Sequence, residues 1–242
     1  MDSEMRDLIR HMCRANPLWG APRIHGELLK LGIEISEATV SKYMIRRRGP
    51  PSQTWYTFLE NHAKELIALD FFTVPTATFK VLFVFVVLSH DRRRIVHFNV
   101  TAHPTAAWTG RQLLEACGIE EAPRYLIRDR DAIYGEKFRR QVAALHIKEI
   151  RIAPRSPWQN PYAERVIGSI RRECLDHLIV LSERHLRRIL SSYADYYNRT
   201  RTHLSLYKDS PEGRTTQLPG QGRVVELDRV GGLHHEYVRM AA

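Results

Sequence analysis

Glu65-Leu-Ile-Ala-Leu-Asp70-Phe-Phe72 and Val81-Leu-Phe-Val-Phe-Val-Val-Leu88 are the two runs whose reading decides the fold. Each is short, continuously apolar and rich in β-branched and aromatic residues, which suits a buried strand better than a helix. Working outward, strands are expected at about 65–72, 80–89 and 94–101, then a helix at 105–117, a strand at 124–128, a helix at 135–144, a strand at 147–152 and helices at about 160–175 and 183–198. Three consecutive strands followed by strands that alternate with helices predict an α/β unit built on a mixed five-stranded sheet.

Acids end these runs where folding alone does not want them. Asp70 terminates the first apolar run, and Asp129 follows Tyr125-Leu-Ile-Arg128. An unpaired carboxylate in a half-buried strand is costly. A third acid, Glu164, lies 35 positions (164 − 129) beyond Asp129, within Asn160-Pro-Tyr-Ala-Glu164-Arg. Any one of these could be a surface or capping residue, but the three together suggest a carboxylate cluster. Such a cluster suits hard divalent cations, since Mg²⁺ prefers oxygen donors and takes only one or two carboxylates. Two ions roughly 3.5–4 Å apart can activate a nucleophile and stabilise a leaving oxygen.

Pro157 and Pro161 confine the loop before the helix that carries Glu164. Along that helix Val166, Ile167 and Ile170, with Cys174 or Leu175, recur at helical spacing, leaving Glu164, Arg165, Arg171, Arg172 and Asp176 to other faces. Glu164 and Arg171 share one face. Asn160 either orients Glu164 or caps the helix, with capping the simpler reading.

These stretches carry a resemblance. From about Trp55 to Arg214 the chain resembles the integrase catalytic core shared by retroviral integrases and bacterial insertion-sequence transposases, the group named for its Asp, Asp, Glu triad. The resemblance rests on Ile67-Ala-Leu-Asp70-Phe-Phe, on Leu126-Ile-Arg-Asp129-Arg-Asp-Ala-Ile-Tyr134-Gly with Phe138, and on Ser156 to His177. Arg128 stands where the family has Ser, and Asp131 where Gly is common, so Asp131 rivals Asp129; strand position and the 35-residue spacing favour Asp129. The resemblance implies a ribonuclease H-like sheet and catalytic, metal-holding roles for Asp70, Asp129 and Glu164, with two Mg²⁺ (or Mn²⁺) ions per site. It implies cleavage at the 3′ end of a mobile element, followed by strand transfer. Arg171 matches a position that is often basic and on DNA in the family; a solvated arginine is the alternative. Arg165, Arg172 and Asn160 join it as candidate DNA contacts.

Composition agrees with a polyanionic partner. The formal charge is +10, and between Arg151 and Arg172 five arginines accompany one acid, Glu164. Arg184, Arg187, Arg188, Arg199 and Arg201, mixed with Glu183 and Asp195, read as a solvated face. Cys13, Cys117 and Cys174 are too scattered for zinc ligation and give no sign of an oxidising compartment. The longest apolar run, eight residues at 81–88, is too short for a membrane span, and no secretory signal is visible. A cytoplasmic, nucleoid-associated bacterial protein is expected, without a membrane partner.

Residues 1–48 read as three short helices. Leu8, Ile9 and Met12 mark the first, Ile24, Leu28 and Leu31 the second, ended by Gly32, and Ser36 caps a third bearing Val40, Tyr43 and Met44. The last two fit a small all-α helix-turn-helix, with Thr39, Ser41 and Lys42 as candidate contacts to double-stranded DNA. Trp19-Gly-Ala-Pro-Arg23-Ile-His-Gly-Glu27-Leu resembles the same transposases, whose members carry a further helix-turn-helix upstream; a truncated or divergent copy is therefore expected. Residues 49–60 read as a linker, 61–214 as the core and 215–242 as a short tail, whose Gly231-Gly-Leu-His-His235 has no physical account from sequence. Homo-oligomers on DNA are expected, because paired-end reactions generally need them. A silent DNA-binding remnant or regulator, and a ribonuclease H-like nuclease, are the alternative functions.

Overall fold

A computed structural model of the chain describes residues 3–16, 19–44, 54–118, 122–154 and 156–241. It divides into two compact units, Met1–Gln53 and Thr54–Ala242. No helix among the described residues is long and apolar enough to cross a membrane.

The first unit consists of α1 (Ser3–Ala15), α2 (Ala21–Lys30) and α3 (Glu37–Tyr43). Ile9, Ile24, Leu28 and Val40 are fully buried at their centre. Gly32, at φ 74°, supplies the left-handed residue that turns the chain after α2. The Ser36 hydroxyl accepts the Thr39 amide at 3.2 Å and so caps α3.

The second unit is built on a five-stranded sheet in the order β3-β2-β1-β4-β5, from β1 (Leu66–Pro75), β2 (Val81–Ser89), β3 (Ile95–Thr101), β4 (Tyr125–Arg128) and β5 (Lys148–Arg151). The β1–β2 and β2–β3 pairs are antiparallel and the β1–β4 and β4–β5 pairs parallel, which is the mixed ribonuclease H-like arrangement. Alternation along β1 separates two cores. Leu66, Ala68, Phe72 and Val74 face one layer with α7 (Pro161–Glu173) and α8 (Glu183–Asp195). Ile67 and Leu69 face the other, with α5 (Ala106–Cys117) and α6 (Glu136–Ala144). Asp70 falls in register with Ala68 and Phe72, on the α7 side. Tyr125 and Ile127 of β4 face the same layer, so Asp129, next in that alternation, emerges there too, while Arg128 points to the α6 side.

Two expectations need correction. The stretch read as a linker at 49–60 contains α4 (Trp55–Asn61), whose Leu59 is buried in the core; residues 45–53 lie outside the described segments. The stretch read as a tail at 215–242 contains an antiparallel hairpin of β6 (Arg223–Arg229) and β7 (His234–Met240). Its turn explains Gly231-Gly-Leu-His-His235. Val230, Gly231 and Gly232 are all left-handed, at φ 53°, 65° and 88°, and this geometry drives Val230 into the α8 core at 7% exposure. The His234 ring then stacks on Tyr196 at 4.4 Å, with its Nε2 2.7 Å from the Glu173 carbonyl.

Candidate active site

Asp70, Asp129, Asp131 and Glu164 line one cavity of about 330 Å³, together with Asn160 and Ser156. Among the described residues Arg130 is the one basic residue in its wall, and its Nε is spent on the Ile152 carbonyl at 2.9 Å. Among the described residues, no lysine or arginine forms an ion pair with Asp70, Asp129 or Glu164.

Each acid is positioned differently. Asp70 sits mid-strand opposite Val86, and its Oδ1 accepts the Phe71 amide at 2.8 Å. Burial pushes its carboxyl up to about 7; the charges of Glu164 and Asp129 act in the same direction against the Phe71 amide. Asp129 leaves the end of β4 in a tight turn, its Oδ1 accepting the Asp131 amide at 3.1 Å. Burial raises its carboxyl too, with the Asp131 charge adding and the Asp131 amide and Arg128 opposing. Asp131 is a wall residue whose Oδ1 already accepts the Ile133 amide at 2.9 Å. Glu164 is exposed in the first turn of α7.

The support around them was invisible in the sequence. Asn160 stands at the N-cap position of α7 but makes no side-chain cap; its Nδ2 donates to the Leu69 carbonyl at 3.2 Å, which ties α7 to β1 beside Asp70. It is only 2% exposed, with its side chain turned to this tie and to the wall of the cavity. Its Oδ1 is buried without a partner, as is the hydroxyl of Tyr134, a residue close enough to feel the charges of Asp70 and Asp129. Gln159 accepts the Ala153 amide at 2.6 Å through Oε1 and the Trp55 indole at 3.1 Å through its carbonyl, so α4 braces the loop that leads into α7. Arg128, 3% exposed, donates to Glu149 and, through Nη1 at 2.6 Å, to the Asp129 carbonyl. This charged residue at the strand end therefore serves as an internal strut.

The other candidate contacts lie elsewhere. Arg171 reaches back over the Phe72 ring, with Nη2 3.2 Å from the Thr73 carbonyl. Arg165 and Arg172 are exposed on α7 and do not line the acidic cavity. In the first unit, Ser41 and Lys42 are exposed, whereas Thr39 is half-buried with its hydroxyl 2.8 Å from that of Ser36.

Among the described residues, no three Asp, Glu, His or Cys side chains are gathered tightly enough to close round a single ion. The donor set nonetheless fits hard cations, because Mg²⁺ asks for only one or two carboxylates and completes its shell with water and phosphate. Among the described residues these partly buried carboxylates have no ion-pair partner and stand beside a buried unpartnered amide oxygen, so they lack the compensation that such burial requires.

Residues 145–211 match the family model described as "Integrase core domain". No match was found among curated protein sequences. The HTLV-2 integrase catalytic core domain, solved in complex with magnesium, is similar over 62% of this chain and 95% of its own, at 13% identity and a TM-score of 0.50. A chain of the simian T-cell lymphotropic virus intasome, solved with PP2A regulatory subunit B56 gamma, is similar over 90% of this chain and 86% of its own, at 12% identity and a TM-score of 0.51. The catalytic domain of Mos1 mariner transposase is similar at 13% identity over 62% of this chain and 84% of its own, with a TM-score of 0.49. The unit from Thr54 to Ala242 thus has the fold of an integrase catalytic core, and its residues 145–211 carry the match to the integrase core model.

Proposed function

We propose that this chain is a DNA transposase or integrase that cuts at the 3′ ends of a mobile element and joins those ends to target DNA. The observation that carries the reading is the convergence of Asp70 from β1, Asp129 from the end of β4 and Glu164 from α7 on one cavity, where none of the three has an ion-pair partner among the described residues. Asp70, Asp129 and Glu164 would hold Mg²⁺ or Mn²⁺, which supplies nucleophile activation and charge stabilisation at a phosphodiester. In the first step a phosphodiester is hydrolysed to a 3′ hydroxyl and a 5′ phosphate. In the second that hydroxyl displaces a 3′ oxygen in the target strand, so one bond forms as one breaks and no covalent enzyme intermediate is required.

The chain's own residues prepare this chemistry. Asn160 fixes the start of α7 against β1, which sets Glu164 relative to Asp70. The Gln159 bridge holds the loop wall, and the Asp129 turn keeps that carboxylate at the strand end. Arg165, Arg171 and Arg172 put positive charge along α7, where DNA phosphates approach. Ser41 and Lys42 of the helical unit are proposed DNA contacts, and the active form on paired ends is proposed to be a homo-oligomer.

The test is incubation of the full chain with supercoiled plasmid and Mg²⁺ or Mn²⁺, beside Glu164→Gln. Metal-dependent nicked and joined products that vanish in the variant are expected. Nicks without joined products would point to a nuclease. Plasmid binding without any product would point to a silent DNA-binding remnant.

A further inference from the structure

Helix α7 separates two cavities of opposite sign. On the far flank from Glu164, a cavity of about 260 Å³ is lined by Arg93, Arg165 and Arg201 with Tyr162, His203 and Ser205, and no carboxylate lines it. Arg201 is neutralised by Glu173, with contacts of 2.6 and 2.8 Å. Arg93 and Arg165 have no acidic partner among the described residues, so two guanidinium charges face one concave space uncompensated.

Arg93 is also held in place. Its backbone is left-handed at φ 59°, a conformation that costs a non-glycine residue energy and persists only where the surroundings enforce it. Its guanidinium lies 4.4 Å over the Tyr162 ring, with Nη2 3.4 Å from the Tyr162 hydroxyl and Nη1 against the Ser205 hydroxyl. A stacked, oriented guanidinium presents its remaining N–H groups in the fixed fork that suits a phosphate. The neighbouring His203 is engaged internally, with Nε2 3.3 Å from the Tyr197 carbonyl and Nδ1 3.2 Å from Arg201 Nη1, and its basicity is lowered by burial and by Arg201 and Arg93 against the Tyr197 carbonyl and Glu173.

We infer that this basic cavity is a second phosphate site, which holds a backbone phosphodiester of the DNA while the acidic cavity on the other flank of α7 takes the scissile one. The occupant rests on the proposed DNA function; the cavity does not. Glu164 and Arg165 are successive residues, about 100° apart round the helix, so one helix sets the spacing between the reacting phosphate and an anchored one. The anchor would fix the register of the duplex without reading its sequence.

The test measures binding of the full chain to a fluorescein-labelled duplex in EDTA, across a range of KCl concentrations, for the wild type, Arg93→Gln, Arg165→Gln and, as an exposed control on α8, Arg184→Gln. Each cavity variant should bind roughly 3- to 10-fold more weakly at about 0.1 M salt and flatten the slope of log affinity against log salt by about 1, whereas the control should change less. Arg165 is exposed on its helix, so that variant stays informative even if Arg93→Gln melts early. A parallel arm follows thermal stabilisation by inorganic phosphate at constant ionic strength. Stabilisation that is lost in both variants, without any DNA binding by the wild type, would overturn the DNA occupant and leave a free-phosphate site. DNA binding by the cavity variants with wild-type affinity and salt slope, or a wild type that responds to neither ligand, would overturn the inference altogether.

Discussion

Replacing Asp70 by Asn should make the metal-free protein more stable at about pH 8, although the site lies in the middle of a central strand. The reason is the carboxyl itself, raised from 3.8 to about 7 by burial and by the charges of Glu164 and Asp129. Well below pH 3.8 the group is protonated in both folded and unfolded chains and contributes nothing. As pH climbs towards 7 the unfolded chain releases its proton while the folded chain retains it, so stability falls; above 7 the full penalty stands. The gap between 3.8 and about 7 corresponds to about 4 kcal/mol, and residual solvent contact reduces this to about 2–4 kcal/mol. Asn keeps the shape and an oxygen for the Phe71 amide, so little else is lost. Thermal melts of the full chain in EDTA should place the variant roughly 5–15 °C above the wild type at pH 8 and within about 2 °C of it at pH 4. Millimolar Mg²⁺ should then raise the wild type and leave the variant nearly unmoved. A variant that is no more stable at pH 8, or one whose advantage is the same at both pH values, would refute the idea that the acid cavity strains the fold until a cation enters.

Three other substitutions probe the supports. Asn160→Ala strands the Leu69 carbonyl and should cost about 1–3 kcal/mol by urea denaturation, with plasmid nicking reduced; unchanged stability would show that the tether to β1 contributes nothing. Arg128→Met leaves Glu149 and the Asp129 carbonyl without their donor and should cost about 2–4 kcal/mol, part of it regained in the double variant with Glu149→Gln; no recovery would locate the loss in packing instead. In the hairpin, a Cβ at Gly231 meets nothing within 4 Å, so Gly231→Ala should cost only the left-handed backbone penalty of about 1–2 kcal/mol, whereas at Gly222 a Cβ would lie 2.0 Å from the Met240 carbonyl oxygen. Gly222→Ala should therefore destabilise more and expose the hairpin to proteolysis, and the reverse order would contradict the strand pairing.

The sheet was legible because its central strands are continuous apolar runs rich in β-branched and aromatic residues and are flanked by clear breaks. Helix α4 was not. Trp55-Tyr-Thr-Phe-Leu-Glu-Asn61 is seven residues, too short to show a helical stripe, and it follows Gly49-Pro-Pro, which reads as a linker. What stabilises it is tertiary: Leu59 in the core and the Trp55 indole on the Gln159 carbonyl, 104 positions away. The β6–β7 hairpin was missed for a related reason. Its turn uses Val230-Gly-Gly, with a β-branched residue in a left-handed conformation that no local preference would choose, and the burial of Val230 offsets that strain.

The site shows the same division more sharply. Acids at the ends of apolar runs announce themselves, because their cost is local and visible in composition. Residues whose meaning depends on what lies opposite do not. Asn160 before a helix predicts a cap by local rules, yet its partner is a carbonyl 91 positions earlier, and only the crossing of α7 over β1 brings the two together. Within Asp91-Arg-Arg-Arg94, Arg92 binds a neighbouring loop through Asp209 and Pro211. Arg93, one position on, is turned by its left-handed backbone onto Tyr162 of α7. A single helix thereby carries Glu164 towards one cavity and supports, through Tyr162 and Arg165, a cavity of the opposite sign. A polyanion with evenly spaced charges is the ligand for which such alternation has a use: the basic cavity can hold one phosphate directly, while the acidic cavity admits another only once cations have reversed its sign. Metal occupancy would then gate where along the DNA the chain engages, whereas Arg93 and Arg165 would hold the duplex whether or not metal is present.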